Sequence, residues 1–252
     1  MIKTIEHGAI RELRLDRPPV NALSPELILA LRKMIQAASG EGARALILSG
    51  SPGRFSGGLD IPVLLGLDRP AMAEVWRDFY GLLGAIAASP VPIVAAITGH
   101  SPAGGAVLAM YCDGRVMADG DYRIGLNEVQ VGIPLPPVIL SGLRRLVGPR
   151  TAERLAVTGE MLTPPEALRL GMIDELAAPE KVVDRSLEVC QRMLALPAEA
   201  MTSTRRLARA DLAAIFESGL EPELQRVSEG WWSPSTQSTL RALAARLGKK
   251  AG

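Results

Sequence analysis

The chain has 252 residues, 48% of them hydrophobic and 22% charged, with 28 Lys and Arg against 27 Asp and Glu. That composition excludes a disordered chain and suits one large domain with a real core, or one domain plus an appendage. The near-balance of charge leaves no electrostatic case for nucleic acid or an anionic membrane as the main partner. Two cysteines, Cys112 and Cys190, lack CxxC spacing, which fits a reduced compartment rather than a disulfide framework. The start, MIKTIEHGAIRELRLD, has neither a signal-peptide pattern nor an acid-free amphipathic leader, and no long apolar run follows. The expectation is a cytoplasmic protein that does not enter a membrane.

IKTIEH and AIRELRLD alternate around a glycine and predict a β-hairpin. Ser24 as N-cap and Pro25 in the first turn open a predicted helix that runs to Gly40. ALILSG predicts a short buried strand, and residues 70–88 a helix broken by Gly81 and Gly84. VPIVAAITG predicts a strand, AGGAVLAMYC a helix with small residues at its start, and RVMAD and YRIG short strands. From Pro136 the patterns are helical: 136–146, 149–157, 164–170, 180–195, 198–209, 211–228 and a tail near 234–247. The basic end, with Arg241, Arg246, Lys249 and Lys250, reads as a solvated helix end or a phosphate-contacting tail.

GHSPAGG, residues 99–105, resembles a nucleophile elbow, but the chemistry fails there. The fifth position of G-x-S-x-G is Ala103, and the residue after Ser101 is Pro102, which has no N–H for an oxyanion hole. Both histidines, His7 and His100, precede Ser101, whereas the hydrolase base follows its serine. His100 has no metal-ligand companion nearby and reads as structural.

Two glycine corners carry more. RFSGGLD follows the strand ALILSG, and SPAGGAV follows VPIVAAITG. The first N–H groups of a helix have no intrahelical partner, and small residues let an anionic atom reach them. Two such corners face to face would make a main-chain oxyanion hole; tight turns and close packing are the other reading. Neither matches a phosphate loop, since GxxxxGK[ST] and GxGxxG are both missing. In IGLNEVQVGIP, Glu128 is a lone acid among apolar residues on an alternating pattern. Desolvation would raise its pKa and make it a base near neutrality, unless it is a surface acid at a strand end.

DRPPVNALSPEL, RFSGGLD, ITGHSPAGGAVLAMYCD, GLNEVQVGI and TGEMLTPPEALRLGMIDEL stand in one order. This series resembles the crotonase superfamily, the enoyl-CoA hydratase/isomerase fold, over nearly the whole chain to about residue 200. The resemblance implies an α/β fold, a spiral of β-β-α turns with a helical C-terminal region. Residues 1–195 would form the core, and 196–252 a helical extension involved in oligomer contacts. It implies an acyl-CoA substrate, with the N–H groups of Gly57 and Gly104 as the oxyanion hole. Ser56, Gly58, Leu59 and Asp60 would touch the substrate, and Ala22 and Leu23 would line the nucleotide side. Asn127 orients substrate or glutamate, or simply packs; Arg54 meets a CoA phosphate or is a solvated loop charge. The implied assembly is a homotrimer or a dimer of trimers. No metal or separate cofactor is implied, coenzyme A being part of the substrate.

Typical hydratases of this family carry two glutamates; here the first position is Val107 and only Glu128 is present. Hydration needs a held and activated water, whereas moving a proton between two carbons needs one base. The pattern is most similar to the Δ3,Δ2-enoyl-CoA isomerase branch, with Glu128 as catalytic base. The alternatives are a hydratase, another CoA-thioester enzyme of the same fold, and a non-catalytic acyl-CoA-binding member.

Overall fold

The computed structural model describes residues 1–217 and 219–250, with residues 247–250 by backbone only. The side chains of Lys249 and Lys250, read above as part of a basic helix end, lie outside the described residues. Strands β1 (Ile2–His7) and β2 (Ile10–Leu15) form the predicted hairpin, with Ile2 opposite Leu15. In helix α1 (Pro25–Ala38) the Ser24 hydroxyl accepts the Leu27 N–H, and Leu27, Ile28, Leu31 and Ile35 make one buried stripe.

A repeating unit follows. Strand β3 (Ala45–Ser49) leads to short β4 (Gly53–Arg54), then to helices α2 (Ile61–Leu64) and α3 (Arg69–Ala87). Strand β5 (Ile93–Ile97) leads to β6 (Gly99–Pro102) and helix α4 (Gly104–Met110). Strand β7 (Gly114–Ala118) leads to β8 (Ile124–Gly125) and a 3-10 turn at Glu128–Val131. Each turn adds one strand to a large sheet and one to a small sheet. The large sheet has the order β1-β2-β3-β5-β7, with β2 onward parallel; the small sheet is β4-β6-β8, also parallel. β3, β5 and β7 are buried throughout and, apart from Ser49 and Arg115, carry no polar side chain, as strands of a parallel sheet covered on both faces should. This is the expected spiral of β-β-α turns.

The rest is helical: α5 (Pro137–Val147), α6 (Pro149–Thr158), α7 (Pro164–Leu170), α8 (Val182–Leu194), α9 (Ala198–Ala208), α10 (Ala210–Ala214), α11 (Glu221–Trp231) and α12 (Pro234–Lys250). Strand β9 (Glu175–Ala177), between α7 and α8, closes the large sheet beside β7 and has no counterpart in the sequence reading. Among the described residues no helix is long and apolar enough to cross a membrane.

Four expectations change. α3 is continuous through Gly81 and Gly84 because these glycines serve packing. A Cβ on Gly81 would lie 2.6 Å from the Arg32 guanidinium carbon, and one on Gly84 3.2 Å from Phe216. The helix expected over 211–228 stops after Ala214 and restarts at Glu221. Pro222 opens the new helix, and Phe216 turns inward to meet Tyr111 edge-on at 5.4 Å. YRIG shrinks to the two-residue β8, and the alternating stretch around Glu128 is a 3-10 turn, closed by Gly132 at φ +77°.

Candidate active site

The small sheet brings the two glycine corners together. Gly53 pairs with Gly99 and Arg54 with His100. Beyond that pairing the chains stay in contact: a Cβ on Gly58 would sit 3.2 Å from the Gly104 nitrogen, and one on Gly104 would sit 3.4 Å from the Leu59 nitrogen. The Leu59 and Gly104 amides are therefore neighbours on facing strand-to-helix corners.

Accounting for the donors corrects one expectation. The Gly57 N–H donates to the Val20 carbonyl at 2.7 Å and is not available. The Gly58 N–H donates to the Ser56 hydroxyl, and the Asp60 N–H to the Leu23 carbonyl. Between them the Leu59 N–H has no protein acceptor among the described residues, because the Leu23–Leu59 bridge uses the flanking groups. Gly104 is the first residue of α4, so its N–H also lacks an intrahelical acceptor. Ala103 holds this corner at φ 46°, ψ −122°, a conformation that favours glycine and costs a side chain about 1–3 kcal/mol. Its N–H donates to the Gly125 carbonyl at 2.8 Å, which ties the strained corner to β8.

Glu128 opens the 3-10 turn just after β8 and is 8% exposed. Its Oε2 has no hydrogen-bond partner among the described residues. Burial pushes its carboxyl up to about 7 from the ordinary 4.5, because water no longer stabilises the charged form. A carboxylate and carboxylic acid are then both populated near neutrality, which suits a group that takes a proton and returns it.

One cavity of about 200 Å³ is lined by Gly57, Leu59, Gly104, Val107, Asn127 and Glu128. Among the described residues Glu128 is its one acidic wall residue; Trp76, Phe79, Ile133, Pro136 and Leu243 supply apolar walls. These five were not picked out from the sequence, since they come from α3, the loop before α5, and α12. Thr236 fastens α12 over the turn by donating its hydroxyl to the Gly132 carbonyl at 2.7 Å.

Other residues expected to meet the substrate have structural partners of their own. Ser56 is fully buried and donates to the Asn21 carbonyl at 2.8 Å. Asp60 pairs with Arg17 at 2.6 Å and caps α2 through the Val63 N–H. Leu23 is buried against Gly104, and the Ala22 carbonyl accepts from Arg17. None of Ala22, Leu23, Ser56, Gly58 and Asp60 is among the cavity walls. Ser101 is fully buried, and His100 accepts the Arg123 N–H, so the elbow holds no nucleophile–base pair. Among the described residues no group of His, Cys, Asp and Glu is placed to hold a metal.

Residues 6–232 match the family model described as enoyl-CoA hydratase/isomerase. The chain belongs to the enoyl-CoA hydratase/isomerase family. It is an enzyme of that family by descent and carries the family's crotonase fold. It is 32% identical to the mitochondrial enoyl-CoA delta isomerase 1 of mouse, over 100% of this chain and 88% of the relative. The human counterpart is also 32% identical, over 97% and 82%. A probable enoyl-CoA hydratase of Mycobacterium avium is 36% identical over 86% and 82%. The crystal structure of human mitochondrial Δ3-Δ2-enoyl-CoA isomerase superposes with a TM-score of 0.94 at 30% identity, covering 100% of this chain and 99% of that one.

These relatives also correct the compartment. The mouse, human and rat proteins are mitochondrial by name, which overturns the cytoplasmic expectation, while relatives from bacteria stand beside them.

Proposed function

We propose that this enzyme moves the double bond of a 3-enoyl-CoA to give the trans-2-enoyl-CoA. One observation carries the reading: among the described residues a single buried carboxylate, Glu128, with its Oε2 unpartnered, shares a cavity with two neighbouring corner amides, and Val107 stands where a second acid would be. The thioester oxygen sits between the N–H groups of Leu59 and Gly104. Glu128 removes a proton from C2, and the electron pair spreads into a dienolate over the thioester oxygen. The two amides stabilise that charge, each contributing on the order of 3 kcal/mol in a dry site. The protonated carboxyl then delivers its proton to C4. The proton leaves and returns through one group, so no water, metal or redox cofactor takes part. Asn127, beside Glu128 in the wall, positions the acyl group. The isomerase names of the mouse and human relatives support this reading.

Mixing the protein with a 3-enoyl-CoA is expected to raise the ultraviolet absorbance of the conjugated thioester. Hydration of a 2-enoyl-CoA or thioester cleavage, with no such rise, would move the chemistry to another branch of the family.

We further propose that the chain assembles as a homotrimer or a dimer of trimers, with residues 196–252 as the helical extension that makes the contacts. Leu196, just before α9, and Leu207, in its last turn, are 54% and 73% exposed, apolar surface that a subunit contact would cover. Sedimentation velocity is expected to give three or six chain masses; a monomer sinks the proposal.

A further inference from the structure

The candidate base is aimed by its backbone. Glu128 Oε2 has no hydrogen-bond partner among the described residues, so the direction of the carboxyl follows from how the 3-10 turn sits. The Glu128 carbonyl accepts the Ile133 N–H at 3.0 Å. The same peptide unit presents the Gly132 carbonyl on its other side, and that carbonyl accepts the Thr236 hydroxyl at 2.7 Å. Thr236 Oγ1 accepts in turn from the Ser233 hydroxyl at 2.9 Å. One chain of hydrogen bonds thus runs from the start of α12 to the backbone of Glu128, and bonds linked in this way strengthen one another.

The far side of the turn is tied separately, by the Gln130 side-chain amide donating to the Gly159 carbonyl at 2.9 Å. The Thr236 bond differs in its origin. It comes from an element that also walls the cavity, since α12 contributes Leu243. Thr236 is 2% exposed, and a Cβ on Gly132 would lie 3.2 Å from the Thr239 side chain, so the turn and α12 meet closely along this line.

We infer that Thr236 is a positioning residue for the proton transfer: its hydroxyl fixes the direction of Glu128 through the Gly132–Ile133 peptide, which couples the aim of the base to the seating of α12. The inference rests on the reading of Glu128 as the base. Burial supplies a second handle on it. Ile61, Phe79, Val107, Ile139 and Leu243 bring α2, α3, α4, α5 and α12 to the cavity without a charge, and Glu128 is the one titratable wall residue among the described residues. Its carboxyl, pushed up to about 7 by burial, therefore reports how dry the cavity is. A turn freed from α12 admits water, which favours the charged form and brings that value down.

Two substitutions separate the hydroxyl from the shape around it. Thr236→Val keeps the branched side chain and removes the donor; Thr236→Ser keeps the donor. Thr236→Val is expected to lower kcat for 3-hexenoyl-CoA by about tenfold, as a misaimed catalytic group does, while calorimetric affinity for saturated hexanoyl-CoA holds. Thr236→Ser should recover most of that loss. In a Glu128→Gln background Thr236→Val should cost less than about twofold, because a residue that acts through Glu128 has nothing left to aim. The carboxyl itself is titrated by infrared difference between each protein and its Glu128→Gln version. Its inflection should fall from about 7 towards 4.5 in Thr236→Val and return in Thr236→Ser. An inflection unmoved by Thr236→Val, a serine variant that behaves as the valine one, or an equal loss of rate with and without Glu128 overturns the inference. If no 3-enoyl ester is isomerised, the isomerase reading fails, while the infrared titration still decides whether Thr236 governs Glu128.

Discussion

Replacing Glu128 by Gln is expected to lower kcat for 3-enoyl-CoA isomerisation by about 100- to 10,000-fold, the range that a positioned acid–base group contributes. Glutamine keeps the shape of the side chain and cannot carry the proton. The wild-type enzyme should show kcat/KM rising with pH through about 7 and levelling above it, because the free enzyme needs the ionised base and burial holds that carboxyl high. The variant should show no such inflection. Stability runs the other way. In the folded state Glu128 keeps its proton up to about 7, whereas the unfolded chain releases it near 4.5. Between those values the native state binds more protons, so folding stability falls as pH rises, by up to about 3 kcal/mol over the full window. Glu128→Gln removes that slope and should be the more stable protein at pH ~8. Guanidinium unfolding on both sides of the window checks this. A variant with wild-type turnover, or a wild type with no loss of stability across it, would remove Glu128 from the role assigned.

Gly99→Ala is expected to destabilise the protein by roughly 3 kcal/mol or more, enough to deplete the folded state of a domain of ordinary stability. The added Cβ would lie 2.0 Å from the Gly53 carbonyl carbon and 2.5 Å from the Arg54 nitrogen, all of it backbone that cannot swing aside. The small sheet would have to open, and the two glycine corners would separate with it. Gly53, directly opposite, gives the contrast. Nothing lies within 4 Å of a Cβ there, so Gly53→Ala meets only the penalty for its φ of +80°, about 1–2 kcal/mol. Denaturant midpoints of the two variants compare crowding with backbone preference. A Gly99→Ala midpoint at or above that of Gly53→Ala would contradict the close pairing of β4 and β6.

Elements whose cause is local were legible in the sequence. Alternation around Gly8 specified the hairpin, Ser24 and Pro25 specified the start of α1, and unbroken apolar runs marked β3 and β5. Glu128 was visible because an acid among apolar residues is costly without a purpose. What failed depended on distant partners. Gly81 and Gly84 looked like breaks because Arg32 and Phe216, which need the room, lie far along the chain. The free amide at the first corner was misplaced by two residues, from Leu59 to Gly57. Which N–H stays free is set by how Val20 to Leu23 lie against the corner, and no motif records that. Trp76, Ile133 and Leu243 share a cavity wall only once α3 and α12 have docked.

In the proposed mechanism the half of the site that holds negative charge is written in main chain, at Leu59 and Gly104, and the half that moves the proton is one side chain, Glu128. Random substitution acts on these halves unequally. Most changes of side chain leave an amide N–H where it was, so the capacity to hold an enolate persists through drift. The fate of that enolate is decided by a few exchangeable positions around it, Val107 and Glu128 foremost. A lineage built on this scaffold can change its reaction without first losing its hold on that enolate.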